Sequence, residues 1–142
     1  MENGFDPGIL RKLRAEKRHR ILLVNAPQGF PELFTGFQFD TFFRSENRGK
    51  YDFVLVFGSM QTEMELLILQ VKDAGKFDAL FWACYPKGGG KIKSDMKRDT
   101  VWAALELVQL RPVTQISLDD TWTALRARPH TVIKSSKTGP AA

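Results

Sequence analysis

Hydrophobic positions along the chain form short continuous runs that alternate with amphipathic stretches. The runs at 21–26, 51–57 and 77–85 are bounded by turn-forming residues, which is typical of strands covered on both faces. Apolar residues recur at helical spacing over 62–73 and about 95–109. Strands that alternate with helices predict a single α/β domain whose mostly parallel, twisted sheet carries helices on both faces.

Weaker patterns extend this domain at both ends. Residues 6–18 predict a short basic helix that begins at Asp6, and 37–43 predict a further strand. A single helical turn is expected at 31–34. These additions bring the predicted sheet to about five or six strands.

The end of the chain predicts a closing antiparallel hairpin from strands at 113–118 and 122–128. A short helix beginning at Asp119 or Asp120 is the competing interpretation. The predicted domain therefore covers residues 1–129. Residues 130–142 are polar and are predicted to form a disordered tail.

Caps are predicted for both of the longer helices. Thr62 and Glu65 have the spacing of a capping box for the helix at 62–73. Ser94 or Asp95 is expected to cap the helix that follows.

The loop at 86–95 is the first candidate for a binding site. Pro86 ends the third apolar run, three glycines follow, and the lysines around them are Lys87, Lys91 and Lys93. Glycine loops with free backbone N–H groups beside a helix start commonly hold anions. The P-loop motif is absent, and a solvated loop kept soluble by its lysines is the alternative.

The turn after the first strand is the second candidate. It occupies the position at which doubly wound folds bind their ligands, and its polar or turn-forming residues are Asn25, Pro27, Gln28 and Gly29. No G-x-G-x-x-G motif is present, so a dinucleotide is not expected. Alternatively, the side chains satisfy only the backbone of the turn itself.

Composition is that of an ordinary globular domain: 142 residues, 43% hydrophobic and 26% charged, with a net charge of +5. Part of the basic excess is local, because residues 11–20 contain six lysines and arginines against Glu16 alone. Nucleic-acid contact through this run is one hypothesis, with the candidates Arg11, Arg14, Lys17 and Arg18. A solvated helix face is preferred, because no aromatic residue is interleaved to stack on bases.

Several familiar chemistries are poorly supported. The only two histidines, His19 and His130, lie in the basic run and in the tail, and no His/Cys cluster has metal-ligand spacing, so a Ser-His-Asp triad and a metal site are not predicted. The single Cys84 lies within an apolar strand, where it is expected to be buried, and this suits a reducing compartment. No leader or membrane-spanning run is visible, so a cytoplasmic location without membrane contact is expected.

Four segments together carry a family resemblance: LLVNAPQGF, FVLVF, FWACYPKGGGKIKSD and SLDDTWTAL. In this order they resemble the bacterial domain-of-unknown-function family 3052 over about residues 5–128. The matching positions are Asn25, Pro27, Trp82, Pro86, Lys87, Asp95, Asp119 and Trp122. The resemblance implies no activity, but it adds Asp119 and Trp122 to the candidate ligand-binding residues.

The order of elements also resembles the second half of a methyltransferase-like sheet that binds S-adenosylmethionine. This resemblance implies a small transferase using Lys87 or Asp95, with S-adenosylmethionine as its cofactor. The 25–29 turn departs from that pattern because it is not glycine-rich.

The preferred hypothesis from sequence is a small non-catalytic protein without a cofactor. Its pocket would lie between the 25–29 turn and the 86–95 loop and would favour a small anionic or nucleotide-like ligand. The methyltransferase-like transferase and a nucleic-acid accessory protein are the alternatives. The sequence leaves open whether the chain is an enzyme, and it sets no oligomeric state.

Overall fold

A computed structural model describes residues 5–133, which form a six-stranded sheet in the order β2-β1-β3-β4-β6-β5. The strands are β1 Ile21–Val24, β2 Phe39–Asp40, β3 Tyr51–Phe57, β4 Gly75–Pro86, β5 Leu110–Ser117 and β6 Trp122–Pro129. The α-helices are α1 Ile9–Lys12, α2 Gln61–Gln70 and α3 Arg98–Glu106, and short 3-10 turns lie at Pro31–Phe34, Ser45–Asn47 and His130–Val132.

The sheet is mostly parallel and ends in an antiparallel hairpin. Strands β2, β1, β3 and β4 run in parallel, β6 runs antiparallel to β4, and β5 is the outer strand. This confirms the predicted α/β fold with its closing hairpin. The competing helix at the end of the chain is wrong, because residues 122–129 pair with both neighbouring strands.

Each face of the sheet is covered by its own apolar layer. Helices α2 and α3 pack on one face through residues such as Met64, Ile68 and Leu105. The N-terminal segment and the Pro31–Phe34 turn pack on the other face, where Leu13 and Phe30 are fully buried. Both faces of the central strands are therefore buried, which explains why the sequences of those strands are continuous apolar runs.

The predicted helix at 6–18 is much shorter than expected. Only α1 is helical, and Arg14 has a φ of 62°, which a right-handed helix does not allow. The carbonyl of Leu13 accepts a hydrogen bond from the Trp82 indole Nε1 at 3.1 Å. A contact with the sheet thus replaces the helical hydrogen bond that the local sequence favours.

The predicted caps are also wrong. α2 begins at Gln61 rather than after a Thr62 cap, and the Gln61 N–H donates to Asp95 Oδ1 at 2.7 Å. Asp95 therefore caps α2 instead of the following helix. α3 begins later, at Arg98.

Two further predictions change in extent. The strand expected at 37–43 contains only Phe39–Asp40, and Phe42 beyond it is 58% exposed. Within the predicted tail, His130–Val132 forms a 3-10 turn. Residues 134–142 lie outside the described part of the chain.

Candidate functional site at the carboxyl edge of the sheet

The ends of several strands meet at one edge of the sheet, which we call the carboxyl edge. Val24 at the end of β1 lies opposite Val56, and Phe57 at the end of β3 lies opposite Cys84 in β4. Pro86, the last residue of β4, pairs with Trp122. The predicted turn at 25–29, the loop at 86–95 and the start of β6 are thereby brought to the same edge, where open α/β sheets bind their ligands.

The turn after β1 contains two residues with a left-handed backbone conformation. Asn25 has a φ of 60° and Gly29 a φ of 94°, both in the left-handed region that glycine favours and asparagine tolerates. The Asn25 amide Nδ2 donates to the Phe57 carbonyl at 2.7 Å, which ties the turn to β3. Pro27 and the exposed Gln28 form the outer part of the turn, before the buried Phe30.

The junction between β3 and α2 contributes a carboxylate that the sequence analysis missed. Glu63 Oε1 accepts hydrogen bonds from the Ser59 N–H at 2.8 Å and from its hydroxyl at 3.2 Å. The other oxygen, Glu63 Oε2, lies 3.4 Å from Asn25 Nδ2. The sequence signal for a polar junction here was the Gly58-Ser59 pair directly after β3. Glu63 lies beside the 25–29 turn only because β1 and β3 are neighbours in the sheet.

The loop after β4 is attached at both ends to other elements. At its start, the Lys87 N–H donates to the Thr121 carbonyl at 2.8 Å and Nζ donates to Ser117 Oγ at 2.7 Å. At its far end, Asp95 holds the first turn of α2. Lys87 and Asp95 are therefore engaged with different elements instead of with each other, while Lys91 and Lys93 are exposed.

Asp119 and Trp122 fix the start of β6. Asp119 Oδ1 accepts the N–H groups of Thr121 and Trp122, both at 2.8 Å. The Trp122 ring meets Phe57 edge-on with centroids 4.9 Å apart, and it is 8% exposed. Asp119 and Trp122, both predicted as ligand-binding residues, are thus engaged in holding the start of β6 at the carboxyl edge.

Asp40, the acidic residue of β2, is bonded near the start of β3 instead of at the carboxyl edge. The Tyr51 hydroxyl, at the start of β3, donates to the Asp40 carboxylate. Burial, followed by this neighbouring carboxylate, raises the pKa of Tyr51 above its usual value. Asp40 is thus hydrogen-bonded to Tyr51. The carboxylate that borders the 25–29 turn is Glu63.

A cavity of about 470 Å³ lies at the opposite edge of the sheet. Its floor includes Val54, Phe81 and Leu110, and its rim includes Lys76 and Phe77. Among residues 5–133, no three histidine, cysteine or acidic side chains are grouped as ligands for a metal ion. Within the same range, no helix is long and apolar enough to cross a membrane.

Solved structures with the same fold include S-adenosylmethionine-dependent methyltransferases. One from Aquifex aeolicus is 15% identical, with a TM-score of 0.59 over 87% of this chain and 89% of its own. The magnesium protoporphyrin IX methyltransferase of Synechocystis PCC 6803, with bound S-adenosylhomocysteine, is 11% identical, with a TM-score of 0.57 over 84% and 79% of the chains. A cyclase of the 4+2 type is 10% identical, with a TM-score of 0.54 over 84% and 77%. At these identities the likeness establishes a methyltransferase-like fold.

No family model and no curated protein matches the chain, so membership of family 3052 stays a prediction.

The preferred sequence hypothesis of a non-catalytic, small-anion-binding protein is corrected by these structures. They favour the alternative, a methyltransferase-like protein. The sequence hypothesis gave weight to the missing glycine motif. Without that motif, the turn still contains two residues, Asn25 and Gly29, in the left-handed conformation that glycine favours.

Proposed function

We propose that the domain is a small transferase of methyltransferase type that binds S-adenosylmethionine at the carboxyl edge. The observation that carries this proposal is the 25–29 turn, which has two left-handed residues and lies beside the end of β3 in a sheet of methyltransferase-like order. The sulfonium cofactor supplies an electrophilic methyl group when it is bound. The residues of this chain hold and orient it.

The polar groups of the edge fit such a cofactor. Gly29 has no side chain, so the turn backbone can approach a ligand closely. Glu63 Oε2 has only a long contact with Asn25, and it is available to accept hydrogen bonds from ribose hydroxyls. Glu63 and Asp95 also place two carboxylates where a cationic sulfonium is favoured.

The loop lysines suit the second substrate. Lys91 and Lys93 are exposed on the loop that follows β4, across the edge from the 25–29 turn. Positive side chains at this position favour an acceptor molecule that carries negative charge. The acceptor class in this proposal is therefore a small anionic nucleophile.

A binding experiment with a matched glycine control tests the proposal. S-adenosylhomocysteine at a hundred times its Kd should stabilise the wild-type protein by about 2.7 kcal/mol, which a thermal melt detects. Gly29→Ala should lose this stabilisation. Gly36→Ala should keep it, because Gly36 has nearly the same φ of 93° in a loop away from the edge. Each alanine costs about 1 kcal/mol of backbone strain, so only the ligand response separates the variants.

Absence of stabilisation by both S-adenosylmethionine and S-adenosylhomocysteine at millimolar concentration would overturn the proposal. Equal ligand responses in the two glycine variants would move the site away from the 25–29 turn.

A further inference from the structure

The basic run of the N-terminal segment meets a second group of arginines that is distant in sequence. Arg126 of β6 lies opposite Trp82 in the ladder between β4 and β6. Trp82 Nε1 donates to the Leu13 carbonyl at 3.1 Å. This hydrogen bond places Leu13 and Arg14 over the middle of β4, beside Arg126.

Arg128 and Arg18 complete the group. Arg128 lies two residues beyond Arg126, so both project from the same face of the sheet. Its guanidinium is held by Asp78 through hydrogen bonds of 3.0 and 2.6 Å. Arg18 Nε donates to the Arg14 carbonyl at 3.3 Å, which keeps Arg18 at the same place. The cluster thus has four arginines, and its acid, Asp78, is already paired with Arg128.

Among the described residues, no acidic side chain forms an ion pair with Arg126. Its Nε is buried and has no hydrogen-bond partner among the described residues. Burial, followed by the charges of Arg14 and Arg128, lowers the pKa of Arg126, whereas Asp78 acts in the opposite direction. A half-buried guanidinium among like charges is unfavourable unless an anion offsets it.

We infer that Arg14, Arg18, Arg126 and Arg128 form a binding site for a phosphate group. Guanidinium groups match the oxygens of phosphate in charge and in geometry, often with paired hydrogen bonds. Asp78 orients Arg128 in advance, and the Arg126 guanidinium, whose buried Nε–H has no partner among the described residues, would donate to the anion through its terminal nitrogens. The phosphate belongs either to a small phosphorylated molecule or to a nucleic-acid backbone.

This site is separate from the carboxyl edge. Arg126 lies level with Trp82 in the middle of β4, and Asp78 lies near the opposite end of that strand. The inference also extends the predicted nucleic-acid contact of the 11–20 run, because β6 supplies arginines that the run alone does not contain.

The first arm of the test uses inorganic phosphate. At constant ionic strength, phosphate should raise the melting temperature of the wild type more than chloride does. Arg126→Gln and Arg18→Gln should each reduce this difference to the general salt effect of phosphate, while Lys50→Gln, which removes an exposed charge elsewhere, should keep it in full. Arg18→Gln alters a more peripheral side chain, and it decides the question if Arg126→Gln does not fold.

The second arm uses a short fluorescein-labelled single-stranded RNA and anisotropy over a salt series. If the phosphate comes from nucleic acid, log K falls linearly with log salt, and each arginine variant flattens the slope by about 0.7. A phosphate-specific response without RNA binding assigns the site to small phosphorylated molecules. The inference is overturned if neither the phosphate-dependent rise in melting temperature nor the RNA affinity depends on these arginines. It is also overturned if Lys50→Gln reduces these two quantities as much as the arginine variants do. S-adenosylhomocysteine binding by the same variants reports separately on the proposed methyltransferase site.

Discussion

Asn25 and Glu63 belong to segments that are distant in sequence, yet their side chains meet across the ends of β1 and β3. Asn25 bends the chain by adopting a left-handed conformation, and its side chain takes the free carbonyl of Phe57. Glu63 uses one oxygen to hold Ser59. The remaining oxygen is the group that we assign to the cofactor.

Replacing Glu63 by glutamine should weaken cofactor binding. Loss of a charge-assisted hydrogen bond costs about 1.5 kcal/mol or more, so the Kd for S-adenosylhomocysteine should rise about tenfold. Isothermal titration calorimetry measures this change. The matched control is Glu65→Gln in the same helix, where Glu65 accepts from Gln61 Nε2 at 2.9 Å. An unchanged Kd in Glu63→Gln would remove Glu63 from the site.

The ion pair of Asp78 with Arg128 should make the stability of the protein depend on pH. Its hydrogen bonds from Arg128 lower the pKa of the Asp78 carboxyl below the usual value. A lowered folded-state pKa means that the pair stabilises the protein above the ordinary aspartate value of about 3.9 and loses this contribution as pH falls through the folded pKa.

Asp78→Asn should therefore be less stable than wild type at neutral pH, and the difference should shrink as the pH falls below about 4. Asparagine tolerates the φ of 60° at this position, so the backbone is preserved. Urea denaturation over a pH series measures the effect, with Asp120→Asn as the exposed-carboxylate control. A difference that does not vary with pH would show that the ion pair is not its source.

At the scale of elements, the first turn of α2 is stabilised from outside the helix. Glu63 reaches back to Ser59, and Asp95 arrives from the loop after β4 to accept the Gln61 N–H. This arrangement joins α2 to the loop that carries Lys91 and Lys93. The capping box predicted from local sequence, Thr62 with Glu65, was wrong because the acceptor comes from a distant loop.

Asp95→Ala should destabilise the protein by about 1 kcal/mol, because the Gln61 N–H loses its acceptor. Asp95→Asn should cost much less, since the amide oxygen can still accept. Chemical denaturation compares the two, and Asp120→Ala controls for removal of an exposed carboxylate. Equal losses from alanine and asparagine at position 95 would argue against a capping role.

At the scale of the whole molecule, Trp82 joins the N-terminal segment to the sheet. The indole lies in the central strand, and its hydrogen bond to Leu13 replaces a continued helix. The same contact positions Arg14 beside Arg126. Attachment of this segment therefore also assembles the proposed phosphate site.

Trp82→Phe should loosen the N-terminal segment and destabilise the protein by about 1–3 kcal/mol, because the Leu13 carbonyl loses its donor. Trypsin should then cut within residues 11–20 faster than in the wild type. Trp102→Phe is the matched control, since the Trp102 indole donates to Glu106 within its own helix at 3.1 Å. Unchanged cleavage in Trp82→Phe would mean that other contacts attach the segment.

Local sequence patterns were enough to predict the α/β class and strand β3, and they favoured the closing hairpin over a short helix without excluding the helix. Tyr51–Phe57 was predicted with its observed bounds, because a strand buried on both faces is largely apolar and turn residues follow it. Burial of Cys84 followed from the same pattern, and the thiol is fully buried. Local hydrophobic periodicity carries this information without reference to the rest of the fold.

Contacts between distant segments set where α1 stops, what caps α2 and which groups meet at each site. Leu13 with Trp82, Gln61 with Asp95, and Asn25 with Glu63 each join segments that are far apart in the chain. Arg126 reaches the basic run only because β6 inserts between β4 and β5. Strand order sets these neighbours, and strand order depends on packing of the whole sheet, which local residue patterns do not encode.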